Sequence, residues 1–361
     1  MNSTKTPFTF QKKLLFTFIT FILFLLLTGV VGEIILRSFF KKEYGRPPRP
    51  VEHFFHAERD QKLGWKIRPN YALDWKIKDK AGVAYDLSIR YNKDGFKTFG
   101  DTNTVKPKVL FIGDSYTASS EVSNEKSFFN LLKDSIEIEV FAIGAGGYGT
   151  LQEFLLLDEW VDRIKPDLVV LEVCNNDLID NSYELECMSA YNLGERRPYV
   201  DSLGNIFYAR PISWWQVWQK EILVFKWLDV KWKALMAKVT NAEGKSADEK
   251  IRNLKMKYPP LVRSAKITEA IVVKMKNRLP LRTKMMAFTA DNYDPHAAIF
   301  RNIFAAHNIP FSEEPSRLCI YAEMEGKTPY AQDGYHWNEW GHALVAKGLL
   351  PAVRNELSKP D

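Results

Sequence analysis

Ser115 stands in Gly113-Asp-Ser-Tyr-Thr117, directly after the apolar run Val109-Leu-Phe-Ile112, and Asp333-Gly-Tyr-His336 comes just before the chain's last helical stretch. A serine hydroxyl attacks poorly until a base takes its proton, and an imidazole does this best when a carboxylate holds its other nitrogen. Asp333 and His336 lie three residues apart, a spacing at which two side chains can face one way on a single turn. Ser115, Asp333 and His336 therefore read as a catalytic triad. The oxyanion that grows on an attacked carbonyl needs hydrogen-bond donors. Besides the backbone N–H of Ser115, two further tips offer them: a glycine N–H in Gly144-Ala-Gly-Gly-Tyr-Gly149, and the amide of Asn176 in Asn175-Asn-Asp177. Asp114 and Asp177 adjoin these groups and read as holding their own loops.

The elements that must position these residues alternate. From Lys108 the spacing predicts strands over Val109–Ile112, Ile136–Ile143, Leu168–Val173 and Thr283–Thr289. Helical spacing falls at Ser127–Leu132, Leu151–Arg163, Ala297–Ala306 and Glu339–Leu349. Apolar strands alternating with amphipathic helices give an α/β fold with a parallel sheet covered on both faces. In such sheets reactive groups gather where strand carboxyl ends turn into helices, which is where these tips fall. Residues 178–280 break the rhythm and read as a large, mostly helical insertion, and residues 51–107 as a small β-rich segment.

The four clusters resemble, in order, the four sequence blocks of the SGNH/GDSL hydrolase family. GDSYT carries the nucleophile of the first block, and AIGAGGYGT aligns so that Gly147 falls on the oxyanion glycine. NND places Asn176 on the oxyanion asparagine, and DGYHWNEWGH carries the Asp-x-x-His pair as Asp333 and His336. The likeness covers about residues 108–177 and 281–350, and a looser one, to bacterial members with an amino-terminal anchor and a β-rich preface, covers most of the chain. Two positions depart from the usual pattern: Asn175 stands where the family usually has glycine, and Ala142 where it often has asparagine. The resemblance implies a three-layer α/β/α, flavodoxin-like domain over residues 108–361 with the insertion at about 178–280. It implies acyl transfer through a Ser115 ester, with no cofactor and no metal. Membrane-anchored relatives of this kind point to acetylated cell-surface polysaccharide as substrate, with lipid second. Transfer to a sugar hydroxyl, or an idle glycan-binding subunit of a polysaccharide assembly machine, are the alternatives.

The glycine tip satisfies a rival pattern too. Gly144, Gly146 and Gly149 spell G-x-G-x-x-G, and Glu172 lies downstream as a ribose-binding acid would. That reading leaves GDSYT and DGYH without a purpose and puts the fingerprint after the second strand. His342 reads as a packing or capping residue on the last helix, and His53, His56, His296 and His307 have no ligand-like spacing. Three cysteines, Cys174, Cys187 and Cys319, form no CxxC pair, which excludes a zinc ribbon and leaves a Cys187–Cys319 bridge open.

The outer parts of the chain concern location. Leu14–Val31 is an uncharged run long enough for a transmembrane helix, after Lys12-Lys13, so residues 1–13 read as a cytoplasmic tail, 14–31 as the anchor and 32–50 as a linker stiffened by prolines. The catalytic domain is then expected outside the cytoplasm, although Arg37, Lys41, Lys42, Arg46 and Arg49 beyond the run do not favour that orientation. The net charge of +6 is concentrated in Lys220–Lys284, where 17 Lys/Arg face 6 Asp/Glu, which argues against a nucleic-acid binder. Trp214, Trp215, Trp218, Trp227 and Trp232 lie among the lysines of this segment. They read as an aromatic packing face, with a bilayer-interface element or a glycan groove as the sharper alternatives.

Overall fold

In a computed structural model, residues 10–44, 57–189, 196–201, 203–208, 222–225, 227–228 and 247–359 are described. They fall into two units, one formed by residues 1–55 and 212–243, the other by residues 56–211 and 244–361.

The smaller unit is dominated by helix α1, Phe10–Tyr44. Its stretch Phe10–Ser38 is long and apolar enough to cross a membrane. The helix runs well past the predicted Val31, and Glu33 pairs one turn on with Arg37 at 2.6 Å. The other carboxylate oxygen of Glu33 accepts the backbone N–H of Val224 at 3.0 Å. Trp227 is half exposed in the short helical stretch that follows. Trp214, Trp215, Trp218 and Trp232 lie outside the described residues, as do His53 and His56.

The larger unit is built on a six-stranded sheet in the order β12-β11-β8-β6-β7-β5. The strands are β5 (Thr98–Phe99), β6 (Lys108–Gly113), β7 (Glu139–Gly144), β8 (Leu168–Val173), β11 (Lys284–Thr289) and β12 (Phe311–Ser312). All pair in parallel except β5, which runs antiparallel along the edge of β7 for two residues. Taken in chain order, the parallel strands have the doubly wound 2-1-3-4-5 arrangement, so the strand order reverses between β6 and β8. Every side chain of β8 is buried, as a strand covered on both faces requires.

Alternation along each strand sends two sets of side chains to two cores. Leu110, Ile112, Phe141, Val169, Leu171 and Ala287 point to one face. That face is covered by α4 (Thr150–Ile164), α8 (Pro259–Arg278) and α9 (His296–Ala306), together with residues of the β-rich preface. Val109, Phe111, Val140, Val170, Met286 and Phe288 point to the other, under α3 (Phe128–Ser135), α10 (Glu314–Met324) and α11 (Glu339–Ser358). Each fully buried side chain of this size contributes about 1.5–3 kcal/mol. Helix α8 falls inside the stretch predicted as an insertion, yet it covers the sheet next to α4 and is the crossover from β8 to β11. The rest of that stretch contains α5 (Asp177–Asp180), α6 (Tyr183–Met188), a hairpin of β9 (Pro198–Val200) with β10 (Ile206–Tyr208), and α7 (Ala247–Leu254). It is thus not wholly helical.

The preface forms two hairpins. β1 (Ala57–Asp60) pairs with β2 (Gly64–Ile67), and β3 (Ala72–Lys78) with β4 (Ala84–Arg90). Leu87 and Ile89 on the inner face of β4 are buried in the same core as the sheet. All three cysteines are free: Cys319 is buried on α10 and Cys187 exposed on α6, so the open Cys187–Cys319 bridge is not formed.

Candidate active site

Strand β6 ends at Gly113, and Asp114 starts the short helix α2, Ser115–Ala118, by accepting the N–H of Tyr116 on its side chain at 2.9 Å. Ser115 is therefore the first residue of a helix at the carboxyl end of a central strand. Its N–H is one of the orphan donors of a helix start, and no described residue accepts it.

The loop that carries Asp333 and His336 comes from a distant part of the chain. Asp333 and His336 sit on a turn before the last helix, as expected, and backbone hydrogen bonds to Asp333 shape it. One oxygen of Asp333 accepts the backbone N–H groups of Tyr335 at 3.1 Å and His336 at 3.0 Å, while Gly334 at φ +88 turns the chain between them. This local turn leaves the second oxygen, Oδ2, to hold His336 Nδ1 at 2.6 Å. The other ring nitrogen, Nε2, lies 2.8 Å from Ser115 Oγ. The structure thus brings Ser115, His336 and Asp333 into one chain of hydrogen bonds. The loop is tied down by Asn338, which accepts Gly341 N–H at the start of α11 and donates to the carbonyls of Thr328 and Tyr330.

Electrostatics agree with this polarity. Burial by itself would raise Asp333, but the hydrogen bond and charge of His336 and the two backbone N–H groups outweigh it and hold the carboxyl below its usual range. Burial would lower His336, but the hydrogen bond and charge of Asp333, with smaller contributions from Glu121 and Asp114, raise the imidazole above its ordinary value. A side-chain oxygen of Glu121 lies within 4.8 Å of ligand atoms of both Asp333 and His336. Nothing in the sequence singled this residue out, because a lone glutamate on a loop has no spacing to read.

The glycine tip adjoins the Ser115 turn, since Gly144 pairs in register with Gly113. Gly147 adopts φ +71, which a glycine reaches without steric cost, and its N–H has no acceptor among the described residues. The preceding peptide is fixed by the preface: Trp65 Nε1 donates to Gly146 O at 3.0 Å, and Tyr148 Oη donates back to Trp65 O at 2.6 Å. Asn176 is held at both ends of its amide. Its Nδ2 donates to Asp180 at 2.8 Å and reaches Asp114 Oδ2 at 3.4 Å, while its Oδ1 accepts from the Cys174 thiol. Asn175 donates its backbone N–H to Asp291 at 3.0 Å.

Asp177 closes its own loop by accepting Cys174 N–H at 2.8 Å, and it also accepts the Thr150 hydroxyl at 2.9 Å. Glu172, the residue that would be a ribose acid in the dinucleotide reading, is buried beneath the Ser115 turn, where it accepts Asp114 N–H at 3.0 Å and the Thr117 hydroxyl. It faces the turn's backbone, so that reading loses its acidic partner. Burial together with the neighbouring Asp114 and Asp177 pushes the Glu172 carboxyl well above its usual range. Two sets of side chains have ligand atoms close enough to share a cation: Asp114, Glu172 and Cys174, and Glu121, Asp333 and His336. In the first, the one thiol hydrogen is already given to Asn176 Oδ1, and in the second the imidazole is taken by Ser115 and Asp333.

His342 is buried, as a packing and capping residue should be. Its Nδ1 accepts the N–H of Phe128, the first residue of α3, at 3.3 Å, and its ring stacks on Phe128. Burial, with the charges of Lys97 and His336, keeps it well below the usual histidine value. Lys97 is buried too, and donates to the carbonyls of Ser119 at 2.6 Å and Val122 at 2.8 Å, which clamps the loop behind Ser115. Desolvation lowers its ammonium to about 7.

No family model and no curated protein matches this chain. Among solved structures, it is similar to esterases of the G-D-S-L kind. A member of the lipolytic protein G-D-S-L family from Veillonella parvula shares 13% identity over 68% of this chain and 98% of its own, with a TM-score of 0.39. A psychrotrophic esterase from Pseudoalteromonas sp. shares 12% identity over 70% of this chain and 99% of its own, and a carbohydrate acetylesterase family member from Sinorhizobium meliloti shares 12% over 70% and 100%, both with a TM-score of 0.39.

Proposed function

We propose that this chain is a serine esterase of the SGNH/GDSL kind, acting through an acyl ester on Ser115. The observation that carries the reading is the relay from Ser115 Oγ to His336 Nε2 at 2.8 Å and from His336 Nδ1 to Asp333 at 2.6 Å. In the first half-reaction Ser115 Oγ attacks the acyl carbon and its proton passes to Nε2, while the carbonyl electrons move onto oxygen. The N–H groups of Ser115 and Gly147 and the amide of Asn176 receive that oxyanion. Collapse expels the alkoxide, which leaves as an alcohol with the proton from Nε2. In the second half water attacks the acyl-enzyme by the same path, releasing the acid and restoring Ser115. The side chains of His336 and Asp333 are 18% and 28% exposed, so water can reach the intermediate. A sugar hydroxyl in place of water would make the same enzyme an acyltransferase.

The substrate we infer is an O-acetylated polysaccharide at the cell surface, with α1 in the bilayer and the catalytic unit on the extracytoplasmic side. Replacing Ser115 or His336 by Ala should lower kcat on a soluble nitrophenyl ester by about 10⁴–10⁶, because triad members act as a unit. Turnover of Ser115→Ala within about tenfold of the parent would remove the triad. A panel of acetylated glycans against phospholipids then separates the substrate classes.

A further inference from the structure

Arg197 is a guanidinium with 1% of its surface exposed, carried by the chain just before β9. It faces three residues from separate parts of the chain. Its Nη1 donates to Gln152 on α4 at 3.0 Å, its Nε lies 3.0 Å from Glu186 on α6, and its Nη2 lies 3.2 Å from Asp180 on α5. Asp180 uses its other oxygen to accept Nδ2 of Asn176 at 2.8 Å. The hairpin region and the oxyanion tip are therefore joined through one carboxylate.

An amide nitrogen has two hydrogens in fixed directions. With one directed to Asp180 and Oδ1 held by the Cys174 thiol, the plane of the Asn176 amide is set. The second hydrogen is directed toward Asp114, the residue before the nucleophile, across 3.4 Å, a distance that leaves it weakly held and available to a stronger acceptor. An oxyanion donor must be oriented before the charge develops, since a group that turns during the reaction spends part of what it contributes. A neutral Asp180 would bind the amide more weakly than a carboxylate does. Burial drives Asp180 up to about 7, against the pull of Arg197 and of the Asn176 amide. Removing the guanidinium removes the charge that opposes this rise and would leave the acceptor more often neutral.

We infer that Arg197 and Asp180 are positioning residues that orient Asn176 as an oxyanion donor, so that the excursion between β8 and β11 takes part in catalysis without touching substrate. The inference rests on the reading of Asn176 as an oxyanion donor. The test uses the full chain in detergent, with kcat and KM on a soluble nitrophenyl ester expressed per serine titrated with a fluorophosphonate. Arg197→Gln and Asp180→Ala are each made in the parent and in an Asn176→Ala background. In the parent, each should lower kcat about 10- to 100-fold with KM within about twofold. In the Asn176→Ala background each should add less than about twofold, because the group they orient is gone. Arg197→Lys, which keeps the charge, should recover most of the loss. If Arg197→Gln does not fold, Asp180→Ala carries the test, since it leaves Arg197 with Glu186 and Gln152. Equal losses in both backgrounds, or none in the parent, would overturn the inference while the oxyanion reading stands. An Asn176→Ala variant that keeps kcat within about tenfold removes both.

Discussion

At the scale of residues, the chemistry turns on how strongly His336 binds its proton. Asp333, Glu121 and Asp114 all stabilise the imidazolium, and together they overcome burial and raise the group above the ordinary histidine range. Only the neutral ring can take the Ser115 proton, so kcat/KM should rise along a single limb whose midpoint lies above about 6.5. Glu121→Gln removes one negative charge near the ring, weakens the imidazolium and moves that limb to lower pH. A limb that stays in place would assign the raised basicity to Asp333 and Asp114, and one that moves upward would contradict the electrostatics. Asn176→Ala should cost about 10² to 10³ in kcat with KM little changed, and a loss confined to KM would make Asn176 a substrate contact instead.

At the scale of elements, the β-rich preface supports the site. The β3–β4 hairpin meets the loop that leads to Asp333 and His336 where Asp79 bridges to Ala331 and Lys80 N–H donates to Tyr330 O at 3.2 Å. Tyr85 donates to the carbonyl of Glu121 at 2.8 Å, and Trp65 fixes the Gly146 peptide. Trp65→Phe keeps an aromatic ring at the position but leaves the buried Gly146 carbonyl without its donor, a loss of about 1–3 kcal/mol in stability. It should lower both the melting temperature and kcat, because the peptide beside Gly147 is freed, whereas a lower melting temperature with unchanged kcat would make Trp65 a packing residue only. Much of this scale was legible in the sequence. Leu168–Val173 forms a strand over the predicted residues because continuous burial leaves one reading, and four polar tips in order were enough to pick out Ser115, Asp333 and His336. Other features were hidden for definite reasons. The last helix, expected over Glu339–Leu349, runs through Pro351 to Ser358, because Val345, Leu349 and Val353 continue one buried stripe past the missing N–H. Asp180, Arg197 and Gln152 meet only in space, and no spacing in the chain announces a contact among residues so far apart.

At the scale of the molecule, one apolar helix and one α/β unit carry the account. If α1 spans a bilayer, the full chain should stay with membranes through an alkaline carbonate wash, and a chain starting at Glu43 should not. If residues 213–284 also touch the membrane surface, the shorter chain should bind vesicles of anionic lipid, with about 1 kcal/mol from each lysine near the surface and a loss of binding as salt is added. Absence of vesicle binding at low salt would assign the tryptophans of that segment to packing or to glycan.

The central claim is that Ser115 is a nucleophile activated by His336. The most direct test is mass analysis of the full chain after reaction with a serine-directed fluorophosphonate. The account predicts one covalent adduct, on Ser115, absent from Ser115→Ala and formed far more slowly in His336→Ala, with ester turnover lost in step with labelling. A parent that hydrolyses ester while Ser115 stays unmodified would contradict it.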